Sequence, residues 1–273
     1  MLRDLKNFIG IFRTGLVLVF FGLITWVVSA KPAAADTLDR AQAAYQSGSY
    51  EEASTLYLQH VEGAGPANAS VFHNLGLAFD RQKELGAAVA SYLRALQLQP
   101  RQGDFQYNLH FLLGKATDKL DGNFPQPFPA QLLLSRWASE RELFYTTLAV
   151  FMLAMASLSY AWLRTRFRVG SLGAGGLFLV LALYGGFSLI YKLRYTPDQG
   201  AVAVPKLEAY SGPTQSVVIF ELHAGAPLQI LEKSGEWVKI ELSDQKRGWV
   251  RASGIASFGS EHVILPTNLS SKS

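Results

Sequence analysis

The chain has 273 residues, a formal net charge of +4, 49% hydrophobic and 17% charged residues, and a mean hydropathy of +0.14. The lack of cysteine excludes disulfides, thiolate metal sites and cysteine nucleophiles. Residues 1–35 and 122–195 carry +3 and +5, whereas 36–121 and 196–273 carry −3 and −1, so the basic excess flanks apolar runs and no nucleic-acid partner is expected.

Arg3, Lys6 and Arg13 precede an apolar run from Leu16 to Val28, and small residues follow at Ala30 and Ala33–Ala35. This order predicts a secretory signal peptide over residues 1–35, cleaved before Asp36, with Ala30 as a second cleavage position. The alternative is an uncleaved signal anchor. Both send the following residues across the membrane.

Residues 36–121 predict paired helices. Phe72, Leu75, Gly76, Phe79, Ala88, Tyr92, Ala95 and Pro100 stand at spacings that put small residues where two helices approach and aromatics in the groove beside them. This spacing resembles the tetratricopeptide (TPR) repeat. Ala41, Tyr45, Gly48, Tyr50, Ala53 and Tyr57 resemble an earlier copy offset by about 35 residues, and Tyr107–Leu113 starts a third that stops short. Two and a half repeats leave an apolar face uncovered, so a partner or the membrane-proximal helix is expected to complete the stack. The stack is either a groove for a peptide or partner helix, with Asn74 as a candidate groove residue, or a spacer without a groove ligand.

Residues 122–138 contain Phe124-Pro125-Gln126-Pro127-Phe128-Pro129, which predicts a stiff linker with an interfacial segment toward Trp137. Two runs without charged side chains follow, Leu143–Leu163 and Val169–Tyr191, each long enough to cross a bilayer. Transmembrane helices are therefore expected at 139–163 and 169–191, with Ser139 and Glu142 forming a capping box at the start of the first. Arg164, Arg166 and Arg168 lie in the intervening loop, 164–168, and the positive-inside rule puts it in the cytoplasm. Small residues at four-residue spacing (Ser157 and Ala161, Ser171 and Gly175, Ala182 and Gly186) allow close helix packing.

Beyond Arg194 the pattern changes to short strands at Val217–Phe220, Pro227–Leu231 and Trp237–Leu242, followed by Gly248-Trp249-Val250. Val238, Ile240 and Leu242 alternate with Trp237, Lys239 and Glu241, one buried face against one wet face. A small all-β barrel is expected over residues 200–258, with a flexible tail at 259–273. Phe220–Gly225, Trp237–Ile240 and Gly248–Val250 resemble bacterial SH3-like domains. That resemblance implies a core position for Trp249, a surface or rim position for Trp237, and wall-peptide binding in some members.

His60, His73, His110, His223 and His262 are scattered, without metal-ligand spacing, and no Gly-x-Ser-x-Gly elbow occurs. Neither an enzyme nor a cofactor or metal is expected. The fold class is a multidomain α plus β chain: TPR helices, a two-helix transmembrane hairpin, and an SH3-like barrel. This domain order resembles the Bacteroides aerotolerance (Bat) group, E type. The resemblance implies a periplasmic scaffold on the inner membrane, von Willebrand A-type and MoxR-associated partners, and a role in oxidative or envelope stress tolerance. Peptidoglycan binding through the barrel is the alternative.

Overall fold

The computed structural model describes residues 33–63, 68–120, 138–163, 165–214, 217–259 and 263–266. The expected signal run, the Pro-rich segment with Trp137, and Arg164 lie outside the described residues.

Among the described residues, five helices come first: α1 (Ala33–Gln46), α2 (Tyr50–Glu62), α3 (Ala69–Arg81), α4 (Leu85–Leu98) and α5 (Gly103–Lys115). Each packs on the next in chain order. Asn68 caps α3, its side-chain oxygen accepting from Ser70 N at 3.0 Å. Gly48 joins α1 to α2 at φ +82, a left-handed conformation that glycine adopts without strain.

Helix α4 is buried on every side from Gly86 to Leu93. Such a helix needs cover all round, and its sequence, LGAAVASYLRAL, has no polar stripe. Helices α3 and α5 supply part of that cover.

The rest comes from the C-terminal sheet. Strands β1 (Gln199–Val202), β2 (Lys206–Tyr210), β3 (Val218–His223), β4 (Pro227–Ser234), β5 (Trp237–Glu241), β6 (Arg247–Arg251), β7 (Ile255–Phe258) and β8 (Val263–Ile264) form one antiparallel sheet in the order β3-β2-β6-β5-β4-β1-β7-β8. Val202, Leu207, Leu222, Leu228, Ile230, Val238, Ile240, Val250 and Ile255 enclose a single core. A Cβ at Gly254 would lie 2.5 Å from Leu207 Cδ1, so β2 reaches the link between β6 and β7 and the sheet is rolled.

Strands β1 and β7 are covered on both faces. Val202 and Ile255 point into the sheet's own core, whereas Ala201, Ala256 and Phe258 join the helical core. Phe258 is 1% exposed, with its ring 5.9 Å from that of Phe72. A Cβ at Gly86 would lie 2.1 Å from the Val202 carbonyl oxygen, so glycine alone lets α4 sit this close to β1. Asp118 fixes the far corner, accepting from His223 N at 2.6 Å and facing His223 Nδ1 at 3.1 Å. The sheet therefore covers the α4 side of the helical unit, whereas Tyr107 and Phe111 on the outer face of α5 stay exposed. Helical unit and sheet share one continuous core at this junction.

The long helices α6 (Glu140–Leu163) and α7 (Arg168–Tyr195) pack on each other through a short 3-10 turn, Thr165–Phe167. Both are long and apolar enough to cross a membrane, the most apolar 18-residue stretches within Glu140–Trp162 and Arg168–Tyr195 having mean hydropathies of 1.6 and 1.8. The capping box forms: Ser139 N donates to Glu142 Oε2 at 2.8 Å and Glu142 N donates to Ser139 Oγ at 3.2 Å. Ala154 and Ala161 are buried between the helices, Ser157 Oγ donates to the Ser171 carbonyl at 2.8 Å, and Gly175 abuts Leu158. Gly186 faces open space, and Gly185 instead packs on Thr147.

The expected tail from 259 needs correction. Val263 and Ile264 add a strand to β7 because their branched side chains pack, half-buried, against the two cores.

Candidate functional site

The repeat-pattern residues are packing residues. Phe72, Leu75, Phe79, Ala88, Tyr92 and Ala95 are all buried. A Cβ at Gly76 would meet the Tyr92 ring at 3.0 Å, which is why a small residue sits opposite the aromatic. Burial pushes the Tyr92 phenol upward. Pro100 stands just past α4, where its carbonyl accepts from Gln106 Nε2 at 2.8 Å.

Asn74 is half-buried beside Tyr57 and His73. His73 stacks on Phe105 at 4.6 Å, and its Nε2 accepts from Asn108 Nδ2 at 2.9 Å. Burial draws the His73 ring below its ordinary value, so the neutral form is preferred. Tyr107 and Phe111, one turn apart on α5, are 72% and 53% exposed. Lys115 lies over the Phe111 ring at 4.2 Å and pairs with Asp80 of α3 at 3.2 Å. The result is an aromatic surface with a basic edge, a combination suited to protein contacts.

A second surface covers the outer face of β2, β6 and β5. Register places Tyr210 opposite Trp249, Trp249 opposite Lys239, and Trp237 opposite Arg251. Tyr210 meets Trp237 edge-on at 5.5 Å, Arg251 lies 5.4 Å from the Trp237 ring, and Lys239 lies 5.9 Å from the Trp249 ring. The Tyr210 hydroxyl donates to Glu208 Oε2 at 2.5 Å, and this bond raises the phenol's pKa. Trp249 is half-buried here, correcting its expected core position, because strand alternation turns its neighbour Val250 inward. Trp237 shares that outer face. Glu241, expected on the wet face, is buried beneath Arg247, whose Nε donates to Glu241 Oε1 at 2.9 Å.

A third cluster lies where the body meets the start of α6 and the end of α7. Gln97 Nε2 donates to the Pro197 carbonyl at 3.1 Å, Arg101 pairs with Glu142, and Lys192 Nζ donates to the Ala138 carbonyl at 2.7 Å. Arg94 donates to Gln97 Oε1 at 3.0 Å and lies 5.9 Å from the Phe72 ring. Burial pulls its guanidinium below the usual value, partly offset by the negative fields of Glu140 and Asp198. Arg166 and Arg168 are exposed at the opposite end of the hairpin.

Sequence reasoning missed Tyr210, Arg251 and Asp118. The first two were legible from strand alternation, since Arg251 is two residues from Trp249. Asp118 carried no local signal; its partner lies 105 residues away.

With the geometry of the rolled sheet in hand, its class follows. Residues 207–256 match the family model of the bacterial SH3 domain. That segment runs from β2 into β7 and holds the whole aromatic outer face, while β1, which packs on α4, lies before it. No curated protein matches the chain.

Proposed function

We propose that this chain is a non-catalytic binding platform anchored in a membrane by α6 and α7, with the helical unit and the SH3-like sheet together on one side. The observation that carries the reading is the core shared by α4, β1 and β7. The loop of Arg164, Arg166 and Arg168 belongs to the cytoplasm by the positive-inside rule, and the body then stands on the periplasmic side of the inner membrane. We read α1–α5 as two TPR repeats and a half, offering a protein partner the exposed Tyr107–Phe111 surface. The resemblance to the Bat group makes von Willebrand A-type membrane proteins the partner class, in oxidative or envelope stress tolerance.

The test is affinity purification of the full chain from detergent extracts. Membrane proteins of that class co-purify with the native chain, and a Tyr107→Ala, Phe111→Ala double variant loses them. Recovery of the same proteins with the double variant would refute this surface as the docking site.

A second reading, attachment to peptidoglycan, is favoured by the Tyr210, Trp237 and Trp249 face and by the bacterial SH3 match. Aromatic rings flanked by Arg251 and Lys239 suit a ligand with apolar faces and carboxylates. Sedimentation of the full chain with purified wall material, lost in Trp237→Ala, is the expected result of this reading. No sedimentation of the native chain would remove it.

A further inference from the structure

The turn between α6 and α7 holds a cleft of about 500 Å³ lined by Tyr160, Arg166, Phe167, Val169, Gly170 and Ser171. Its walls divide by chemistry. Tyr160, Phe167 and Val169 are 45%, 55% and 86% exposed and supply rings and an aliphatic group. Arg166 supplies a cation whose guanidinium lies 5.8 Å from the Phe167 ring. Ser157 Oγ, held on the Ser171 carbonyl, ties the two helices together beneath it.

No acidic residue occurs between Glu142 and Asp198, although Arg164, Arg166, Arg168, Lys192 and Arg194 do. Glu142 and Asp198 both belong to the far end of the hairpin, one helix length away at 1.5 Å per residue. The hairpin therefore has no carboxylate for Arg166, and the counter-charge must come from outside it. The cleft sits where two apolar helices leave the hydrocarbon, the level at which lipid phosphates lie.

We propose that this cleft takes the phosphate headgroup of an anionic phospholipid, with Arg166 on the phosphate and Tyr160, Phe167 and Val169 against the glycerol and upper acyl chain. The inference rests on α6 and α7 spanning the membrane. Basic clefts between membrane helices recognise anionic headgroups through this pairing of cation and apolar wall. Arginine suits the task, because its planar fork meets two phosphate oxygens at once while its face stacks on a ring.

The test uses the full chain in mild detergent, titrated with phosphatidylglycerol or phosphatidylcholine and read by native mass spectrometry. Firm retention in sealed vesicles after alkaline extraction checks the membrane reading separately. Phosphatidylglycerol binds preferentially to the native chain, and Arg166→Gln weakens it roughly fivefold, the change that ~1 kcal/mol per basic residue corresponds to. Gly170→Glu, at a position where an added Cβ meets no atom within 4 Å, abolishes the preference by placing a carboxylate at the cleft. Inorganic phosphate at millimolar concentration leaves the bound lipid in place. Equal binding of the two lipids, or unchanged phosphatidylglycerol binding in both variants, overturns the proposal. Displacement of the lipid by inorganic phosphate overturns the lipid as the ligand's source.

Discussion

His73 couples the helical unit to pH. Its ring nitrogen accepts from Asn108 at 2.9 Å, a bond that a protonated ring cannot accept, and burial already holds the group below its ordinary 6.5. Below about 6.5 the unfolded chain takes up this proton more readily than the folded chain. His73 therefore contributes nothing to pH dependence above that value. Stability drains away as pH falls from 6.5 toward the depressed folded value. The melting temperature of the native chain should fall more steeply between pH 7 and pH 5 than that of His73→Gln. Parallel slopes would show that the ring does not titrate as described. Ala201, Ala256 and Phe258, by contrast, act through fit alone, and Phe258→Ala removes the largest side chain at the junction. Deleting a buried phenyl costs about 3–5 kcal/mol, measurable by chemical denaturation.

Among the elements, α4 carries the decisive constraint. Replacing a helical glycine by alanine ordinarily gains up to about 1 kcal/mol, and less in the first turn, where Gly86 is the second residue of α4. At Gly86 the added methyl would fall 2.1 Å from the Val202 carbonyl oxygen, a backbone atom that cannot swing aside. Overpacking of this kind costs about 1–3 kcal/mol, so Gly86→Ala should destabilise the chain on balance. Gly114 on α5 has nothing within 4 Å of its added methyl, and Gly114→Ala should be neutral or stabilising. Denaturation of the two variants side by side gives opposite signs if α4 rests on β1. The same element shows what the sequence could reveal. The absence of a polar stripe in LGAAVASYLRAL marks a helix buried all round, and the spacing of Phe72, Gly76, Ala88 and Tyr92 marks its pairing with α3. Its second neighbour was not legible, because β1 and β7 lie more than 100 residues downstream and Ala201 and Ala256 look like ordinary small residues. The strands of the sheet were legible where alternation is clean, as in Val238 and Ile240. Strand β7 was not, since burial on both faces erases the period of two.

For the whole molecule, the shared core predicts joint unfolding. The helical unit and sheet meet through Phe72, Leu85, Gly86, Phe258 and the Asp118–His223 pair, so neither keeps its buried surface when the other opens. Far-ultraviolet circular dichroism, dominated by helices, and tryptophan fluorescence from Trp237 and Trp249 should report one transition in detergent, shifted together by Phe258→Ala. Two separate midpoints would mean independent modules. A fused body held by Gln97 and Arg101 to the ends of α6 and α7 would present its aromatic surfaces at a fixed height above the bilayer, which suits a platform more than a flexible tether.

The absence of cysteine makes the most direct test a clean one. Single variants Glu52→Cys on α2, Glu232→Cys on β4 and Arg166→Cys in the loop would be treated, in intact cells with a permeable outer layer, with a maleimide that cannot cross the inner membrane. The fused body predicts labelling at positions 52 and 232 alike, with position 166 reached only after lysis. Labelling of 52 without 232, or of 232 without 52, would place the bilayer between surfaces that share a core and would contradict the account.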